Sequence, residues 1–473
     1  MKKFLSLVAL TMLGLQVQAG GLMTNTNYHI AFDRMFARGA TFDIDAAFSN
    51  PAGLAWGHEG WQLSLNFQKP WQNRDIEFND HTYEGKASAP VVPALFAAYK
   101  QDRWALSTMI GIVGSGGFVQ YDEGVPMFNV LLGNTITTLT QGLSDATGGY
   151  APVVSPQQFD SEMKGKQYIY GAQVNFTYRL LDNLSAAVGL RANYYDGYYR
   201  GHVTAIKNIA VATSNPPQYI NADLASLSLD VDQKGWGFTP IVSVDFHKGP
   251  LTLSARYEFR TKVNPKNETN SLQATLNSAI LIEKPLTDLV LAGALPAATA
   301  AAMAENISTN VANGLAAYIA PYQDGVHTRY DMPALLSLAA GYEFTPSLRA
   351  SLEYHFFDDK NAKMANDRQK ELTHGTHEIL AGVEYDINDK FTVSCGGQRT
   401  DYGLSDGYQQ NTSFACDSYS VGLGGAWNVT DQLRLNVSYF TSIYSDYKKQ
   451  AAYGPETYSR TNHVIGVGVD YKF

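Results

Sequence analysis

Residues 251–260 read LTLSARYEFR. Leu251, Leu253, Ala255, Tyr257 and Phe259 alternate strictly with Thr252, Ser254, Arg256, Glu258 and Arg260. Side chains along an extended strand point alternately to opposite faces, so one face of this segment is apolar and ends in aromatics, while the other is polar and charged. The period recurs. Leu348, Ala350, Leu352, Tyr354 and Phe356 share one face, as do Leu433, Leu435, Val437 and Tyr439. Ile379, Ala381, Val383 and Tyr385 do the same, with Leu380 as the one apolar residue out of phase. A soluble sandwich of sheets would alternate similarly, so the connections between strands have to decide.

Fourteen strands are expected, at 61–69, 92–100, 103–119, 166–180, 184–200, 234–247, 251–263, 330–343, 347–357, 376–386, 390–401, 414–428, 431–448 and 459–473. Their links alternate in length. Short turns fall at Gln101-Asp102, Asp182-Asn183, Lys248-Pro250, Thr345-Pro346, Asn388-Asp389 and Val429-Thr430. Long excursions occupy 70–91, 120–165, 201–233, 264–329, 358–375, 402–413 and 449–458. An even strand count with short links on one side and long ones on the other is the pattern of an outer-membrane barrel. In lipid each backbone N–H and C=O needs a partner, so the sheet must close. The fold expected is therefore all-β, a 14-stranded antiparallel transmembrane β-barrel. The final stretch, HVIGVGVDYKF, ends at strand period on Phe473 and is similar to the signal read by the barrel assembly machinery. Pro240 and Pro333 fall inside expected strands, where each removes a ladder donor.

Composition agrees with a strand-built membrane protein. Aromatics are 12% of the 473 residues and charged residues 17%, below the roughly 25% of ordinary globular domains. The most apolar run, Leu289–Ala304, is interrupted by Pro296 and is too short for a spanning helix. Residues 1–19 read as a secretory signal peptide: Lys2 and Lys3, an apolar core from Phe4 to Leu15, then Val17 and Ala19 before the cut. The address expected is the bacterial outer membrane after cleavage. A net charge of −9 argues against a nucleic-acid partner. No nucleophile-and-base motif links the scattered Ser and His residues, and no cofactor or metal is expected. Cys395 and Cys416 fall in adjacent expected strands, as a disulfide or as two free thiols.

Residues 20–60 precede the first strand. They carry Phe32, Met35, Phe36, Phe42, Ile44 and Phe48, too apolar a set to hang in water. A lumen enclosed by fourteen strands is wider than its own side chains can fill. The segment is therefore expected to fold inside the barrel as a hatch, with the Asn50-Pro51-Ala52-Gly53 elbow turning it into the first strand; the alternative is a periplasmic protein-binding arm. Arg191, Arg256, Glu258, Arg349, Glu353, Glu384 and Arg434 point to the polar face and are expected to hold it.

With its stretch "ARGATFDIDAAFSNPAGLA" at residues 37–55, the chain resembles the FadL/TodX family of outer-membrane transporters for long-chain fatty acids and aromatic hydrocarbons. Asn50-Pro51-Ala52 matches that family's hatch signature. The resemblance implies a route for hydrophobic small molecules: capture between extracellular loops, a pocket against the hatch, and sideways release at a kink in the third strand, bypassing the lipopolysaccharide leaflet. It implies outer-membrane lipid and lipopolysaccharide as surroundings and a monomer as the working form. Gly111, Gly114, Gly116 and Gly117 cluster in the expected third strand, where that kink would fall, and glycine inside a strand marks a bulge or bend. Loops 201–233 and 264–329 hold the positions of the groove-forming loops. In the second, Asp288 and Pro296 read as helix starts and Gly314 as a break, with Leu291, Leu295, Ala298 and Ala302 on one apolar face. The alternative function is a structural or adhesive barrel that binds proteins through its loops.

Overall fold

The computed structural model describes residues 22–26, 28–89, 91–211 and 218–473; the expected signal peptide lies outside the described residues. Strand β1 (Gly60–Phe78) turns into β2 (His81–Tyr83), β3 (Gly85–Ser88) and β4 (Val92–Gln101), which together form the second stave of a barrel. Next come β5 (Trp104–Tyr121), β6 (Gln158–Leu181), β7 (Leu184–Val211) and β8 (Gln218–Lys248). The seventh stave is shared by β9 (Leu251–Glu258) and β10 (Lys266–Leu276), both paired with β8. Then follow β11 (Leu335–Thr345), β12 (Leu348–Phe357), β13 (Thr376–Asp386), β14 (Phe391–Asp401) and β15 (Ser418–Asn428). Last are β16 (Leu433–Tyr444) with its continuation β17 (Tyr447–Ala451), and β18 (Gly454–Lys472). β18 pairs back onto β1 from Lys472↔Gln62 to Thr457↔Glu77, so the eighteen segments close into fourteen antiparallel staves.

The outward faces carry exposed Leu63, Leu65, Val174, Val188, Val244, Leu352, Leu423 and Val467. Exposed aromatics bracket this band. Trp61, Tyr178, Tyr342, Tyr385 and Trp427 stand near the short turns, and Tyr170, Trp236, Tyr257 and Tyr419 toward the long loops. An apolar belt between two aromatic girdles is the lipid-facing surface of a membrane barrel. No helix among the described residues is long and apolar enough to cross a membrane.

Several boundaries differ from the sequence expectation. Residues 201–233 are not an open loop: β7 continues to Val211 and β8 starts at Gln218. The period of two persists there, with Val203, Ala205, Leu227 and Leu229 all buried, and the ladder simply continues beyond the bilayer. Pro240 lies inside β8, whereas Pro333 lies ahead of β11. Pro240 still accepts a bond from the Phe259 amide at 3.0 Å, and its missing N–H falls where the β8–β9 ladder has stopped at Ile241↔Glu258. The excursion 120–165 holds a helix, Pro126–Ala146, with Phe128, Leu132, Ile136 and Leu143 buried at helical spacing.

Within 264–329, β10 is followed by the helices Lys284–Leu291 and Ala297–Ile319. Asp288 lies inside the first and Gly314 inside the second, which runs on to Ile319. The apolar face is also displaced from the expected one. Leu291, Ala298 and Ala302 are exposed, while Leu286, Leu289, Ala300 and Met303 pack inward, joined by the partly buried Leu295. One stripe cannot span both helices because Ala292 to Pro296 break the helical phase between them. With Phe128 and Leu132, these residues form an apolar cap over the long-loop end of the barrel.

Candidate functional site

Residues 22–26 and 28–59 pack against inward-facing side chains of the strands. Helix α1 (Ile30–Met35) is a single short unit, too short to persist alone in water. The His29 imidazole caps it by accepting from the Ala31 amide at 3.1 Å, and Phe36, at φ +63°, ends it. Tertiary contacts have to supply the rest. Gly382, Gly396 and Gly422 sit side by side across β13, β14 and β15, in direct register. A Cβ on Gly382 or Gly396 would overlap the Met35 carbonyl oxygen, and one on Gly422 would overlap that of Asp33. This row of bare backbone is the seat of α1. Around it Leu380, Phe440 and Val464, apolar residues on an otherwise polar inner face, pack against Phe32 and Phe36.

Charge fixes the helix on that seat. Arg34, 1% exposed, donates to Glu384 and to Ser394 Oγ at 2.6 Å. Glu384 also accepts from Arg349, which reaches Asp386 at 2.6 Å as well. Arg38 pairs with Asp45 at 2.7 Å, and Glu353 accepts from the backbone amides of Arg38 and Gly39 at 2.9 and 2.8 Å. His355 bridges Glu353 and Glu378 at 2.7 and 3.0 Å. Farther along, Arg256 donates to the Phe48 carbonyl, and Glu258 accepts from Arg191 and lies in an ion pair with Arg256 at 3.2 Å. Six of the seven polar-face residues expected to hold the segment form this network. The seventh, Arg434, has no partner at Nε or Nη2 among the described residues.

Asn50 ends helix α2 (Ala46–Ser49), and Pro51–Trp56 continues as a 3₁₀ turn toward β1. Five hydrogen bonds hold the elbow to the wall. Asn50 Nδ2 and Trp56 Nε1 donate to Asp245 at 2.7 and 2.9 Å. The Ala52 amide donates to Ser243 Oγ at 3.0 Å. Thr177 and Ser185 donate to the Pro51 and Ala52 carbonyls at 2.7 and 2.8 Å. Gly53 has no room for a side chain, since a Cβ there would lie 2.5 Å from the Thr41 carbonyl oxygen.

The glycine cluster sits in β5. Its register with β6 shifts between Ile112 and Gly114 and again between Gly114 and Gly117, and Gly117 has φ +129°, a conformation few other residues adopt. On its other edge, β4 pairs up to Leu95↔Ile110 and β3 resumes at Ser88↔Phe118. Among the described residues, 111–117 therefore have no ladder partner on that side, and Pro93, without an N–H, borders the gap. Residues 23–25 cover it from within: the Asn25 amide and Nδ2 donate to the Val113 and Ile112 carbonyls at 3.2 and 3.3 Å. Gly114 faces the Met23 carbonyl, Gly111 lies against Met109 and Ala94, and the surroundings of Gly116 lie outside the described residues.

The two cysteines are free thiols. Cys395 is exposed on the lipid side of β14, while Cys416 is buried ahead of β15, where burial pushes its thiol up to about 11. Opposite faces and different heights leave no path for a bridge. The Phe473 amide donates to the Trp61 carbonyl at 2.9 Å, tying the last strand to the first.

Asp359, in loop 358–375, is fully buried and meets the Thr376 amide at 3.3 Å and the amide of Leu22. Burial pushes its carboxyl up to about 7 from 3.8. The folded chain thus holds this proton more tightly than a free carboxyl does. The stability the group contributes is fully present below about pH 4 and is lost as pH rises through about 7. The melting temperature of the full chain is expected to be lower at pH 8 than at pH 5, and Asp359→Asn to flatten that dependence.

A family model for an "Outer membrane protein beta-barrel domain" matches residues 289–473. The chain as a whole has the fold of an outer-membrane β-barrel. It is similar to the crystal structure of a Pseudomonas aeruginosa FadL homologue: TM-score 0.59 and 15% identity, over 96% of this chain and 100% of that one. It is also similar to the P. putida toluene transporter TodX, with TM-score 0.53 and 13% identity over 92% and 95% of the two chains. No curated protein matches the sequence.

Proposed function

We propose that this chain is an outer-membrane channel that admits apolar small molecules, with residues 22–59 as its hatch and the β5 bend as a lateral exit. The observation that carries the reading is the unpaired edge at 111–117, closed from inside by Asn25 and Met23. A wall that is already open in its ladder needs only a short displacement of the N-terminus to become a passage. A solute leaving there enters lipid directly and never exposes its apolar surface to water, a saving of about 25 cal/mol per Å². Toward the loops, a small recess of about 20 Å³ lined by Phe128, Met163, Leu227 and Leu229, with Lys164 and Arg200 among its walls, offers a point of first contact. The similar folds include a toluene transporter, in keeping with an apolar cargo.

The test is uptake of a labelled long-chain fatty acid and of toluene by cells lacking their own transporter. Gly114→Val places a branched side chain against the Met23 carbonyl and Ile169. It is expected to cut uptake of the accepted solute about tenfold at equal surface expression. Unchanged uptake by that variant removes the exit from the route. A well-assembled wild-type barrel that takes up neither solute moves the function to loop-mediated adhesion.

A further inference from the structure

Tyr170, Tyr194 and Trp236 lie in one register row across β6, β7 and β8, at the upper edge of the lipid-facing belt. The sheet continues past them, and its next outward positions come two residues apart. The first row beyond carries Lys234 and Lys266, the second Lys166, the third Lys164 and Arg200. The far wall differs. There the corresponding row runs Tyr419, Ile443, Thr461 and Asn73 across β15, β16, β18 and β1. Two residues beyond it stand Asp417, Ser445, Ser459 and Asp75, with no cation. In a chain of net charge −9, the outward cations above the belt thus gather on one wall, from β6 to β10.

Lys234 and Lys266 stand directly opposite each other in register, both exposed. Like charges directly opposed on a sheet are destabilising unless an anion lies between them. Lys234 reaches Glu268 at 2.5 Å, and Lys266 has no ion pair among the described residues. Lys166 meets Asp196 at 2.7 Å and Arg200 meets Asp230 at 2.9 Å. Exposed pairs of this kind contribute little, so they yield readily to an anion that brings more oxygen acceptors, such as a phosphate. The face is continuous with the apolar belt below it, so an anion with tails would lay them on the belt and its head among these rows. The three rows span about 13 Å of strand, deeper than one phosphate layer, and call for a head with more than one phosphate. We propose that the outward face of β6, β7, β8 and β10 above Trp236 binds the bisphosphorylated disaccharide head of an outer-leaflet lipopolysaccharide. Lys234 and Lys266 share one phosphate, and Lys166 and Arg200 take the other. The site lies outside the barrel and is independent of what the channel carries.

The experiment measures retention of lipid A, dephosphorylated lipid A and phosphatidylglycerol by the full chain in phosphatidylcholine nanodiscs, read by native mass spectrometry. The variants are Lys234→Gln with Lys266→Gln, and Arg399→Gln as a control on the far wall. Wild type is expected to retain lipid A at least tenfold better than either other lipid. The double variant is expected to lose about that factor, and Arg399→Gln to match wild type. Raising salt from about 0.1 M to about 0.5 M is expected to weaken retention by wild type, because exposed charges are screened. Equal retention of lipid A and its dephosphorylated form overturns the phosphate site. Equal retention of phosphatidylglycerol overturns the disaccharide head and leaves a general anionic-lipid surface. A loss in Arg399→Gln as large as in the double variant overturns the placement on this wall. If the double variant fails to assemble, Lys166→Gln puts the same comparison from β6.

Discussion

Gly396→Val is expected to drive α1 off the barrel wall while the barrel itself assembles normally. The added Cβ would occupy the position of the Met35 carbonyl oxygen, and backbone cannot yield as a side-chain tip can. Arg34 and Arg38, at 1% and 4% exposure, would become accessible. Trypsin should therefore cut the variant between residues 30 and 40 and leave wild type intact. The neighbouring Gly397→Val is the control, since a Cβ there meets only the Ser420 carbonyl at 3.6 Å. Heat-modifiable migration on a gel should be the same for all three proteins. Equal protection of wild type and Gly396→Val would mean that α1 is not seated on this glycine row.

The second large effect is expected from Glu384→Ala. Arg34 would keep Ser394 but lose its one carboxylate partner among the described residues, at a site where neither partner is more than 1% exposed. Removing one member of a buried pair costs about 3–5 kcal/mol, because the surviving charge stays desolvated. Applied to docking of α1, even the lower figure is roughly a hundredfold in the undocked population. Amide exchange of residues 30–36 should accelerate by that order. Arg34→Met combined with Glu384→Leu should recover most of the protection, since an apolar pair of similar volume removes both charges. If the double variant exchanges as fast as Glu384→Ala, the seat is held by the ion pair itself and not by relief of a stranded charge.

Part of the seat was legible in advance. Leu380 breaks the alternation of β13, and it does so because its inward position meets helix α1 and not water. Phe440 and Val464 carry the same signal, apolar residues at inward phase, though each reads as ordinary strand content until the phase of its strand is known. Gly382, Gly396 and Gly422 were not recognisable as a unit. They lie on three strands, and only the hydrogen-bond register places them side by side. The β5 cluster was visible because its glycines fall within seven residues of one strand, where sequence adjacency and spatial adjacency coincide. Arg74 and Arg460, separated by nearly the whole chain, meet only because the barrel closes.

The sequence by itself determined the period of the strands, the alternation of short and long links, and hence a closed membrane barrel with an apolar segment ahead of its first strand. Those are local properties, written in spacing two and in Gly and Pro at turns, and the bilayer makes them binding because no backbone group can go unpaired in hydrocarbon. Tertiary structure decided what lies opposite what. It determined which inner residues grip residues 22–59, how far β7 and β8 extend past the membrane, which face of the loop helices turns inward, and that two arginines share one buried position. Register and closure are collective, since a slip of one residue would turn every side chain to the other face, and no single segment carries that information.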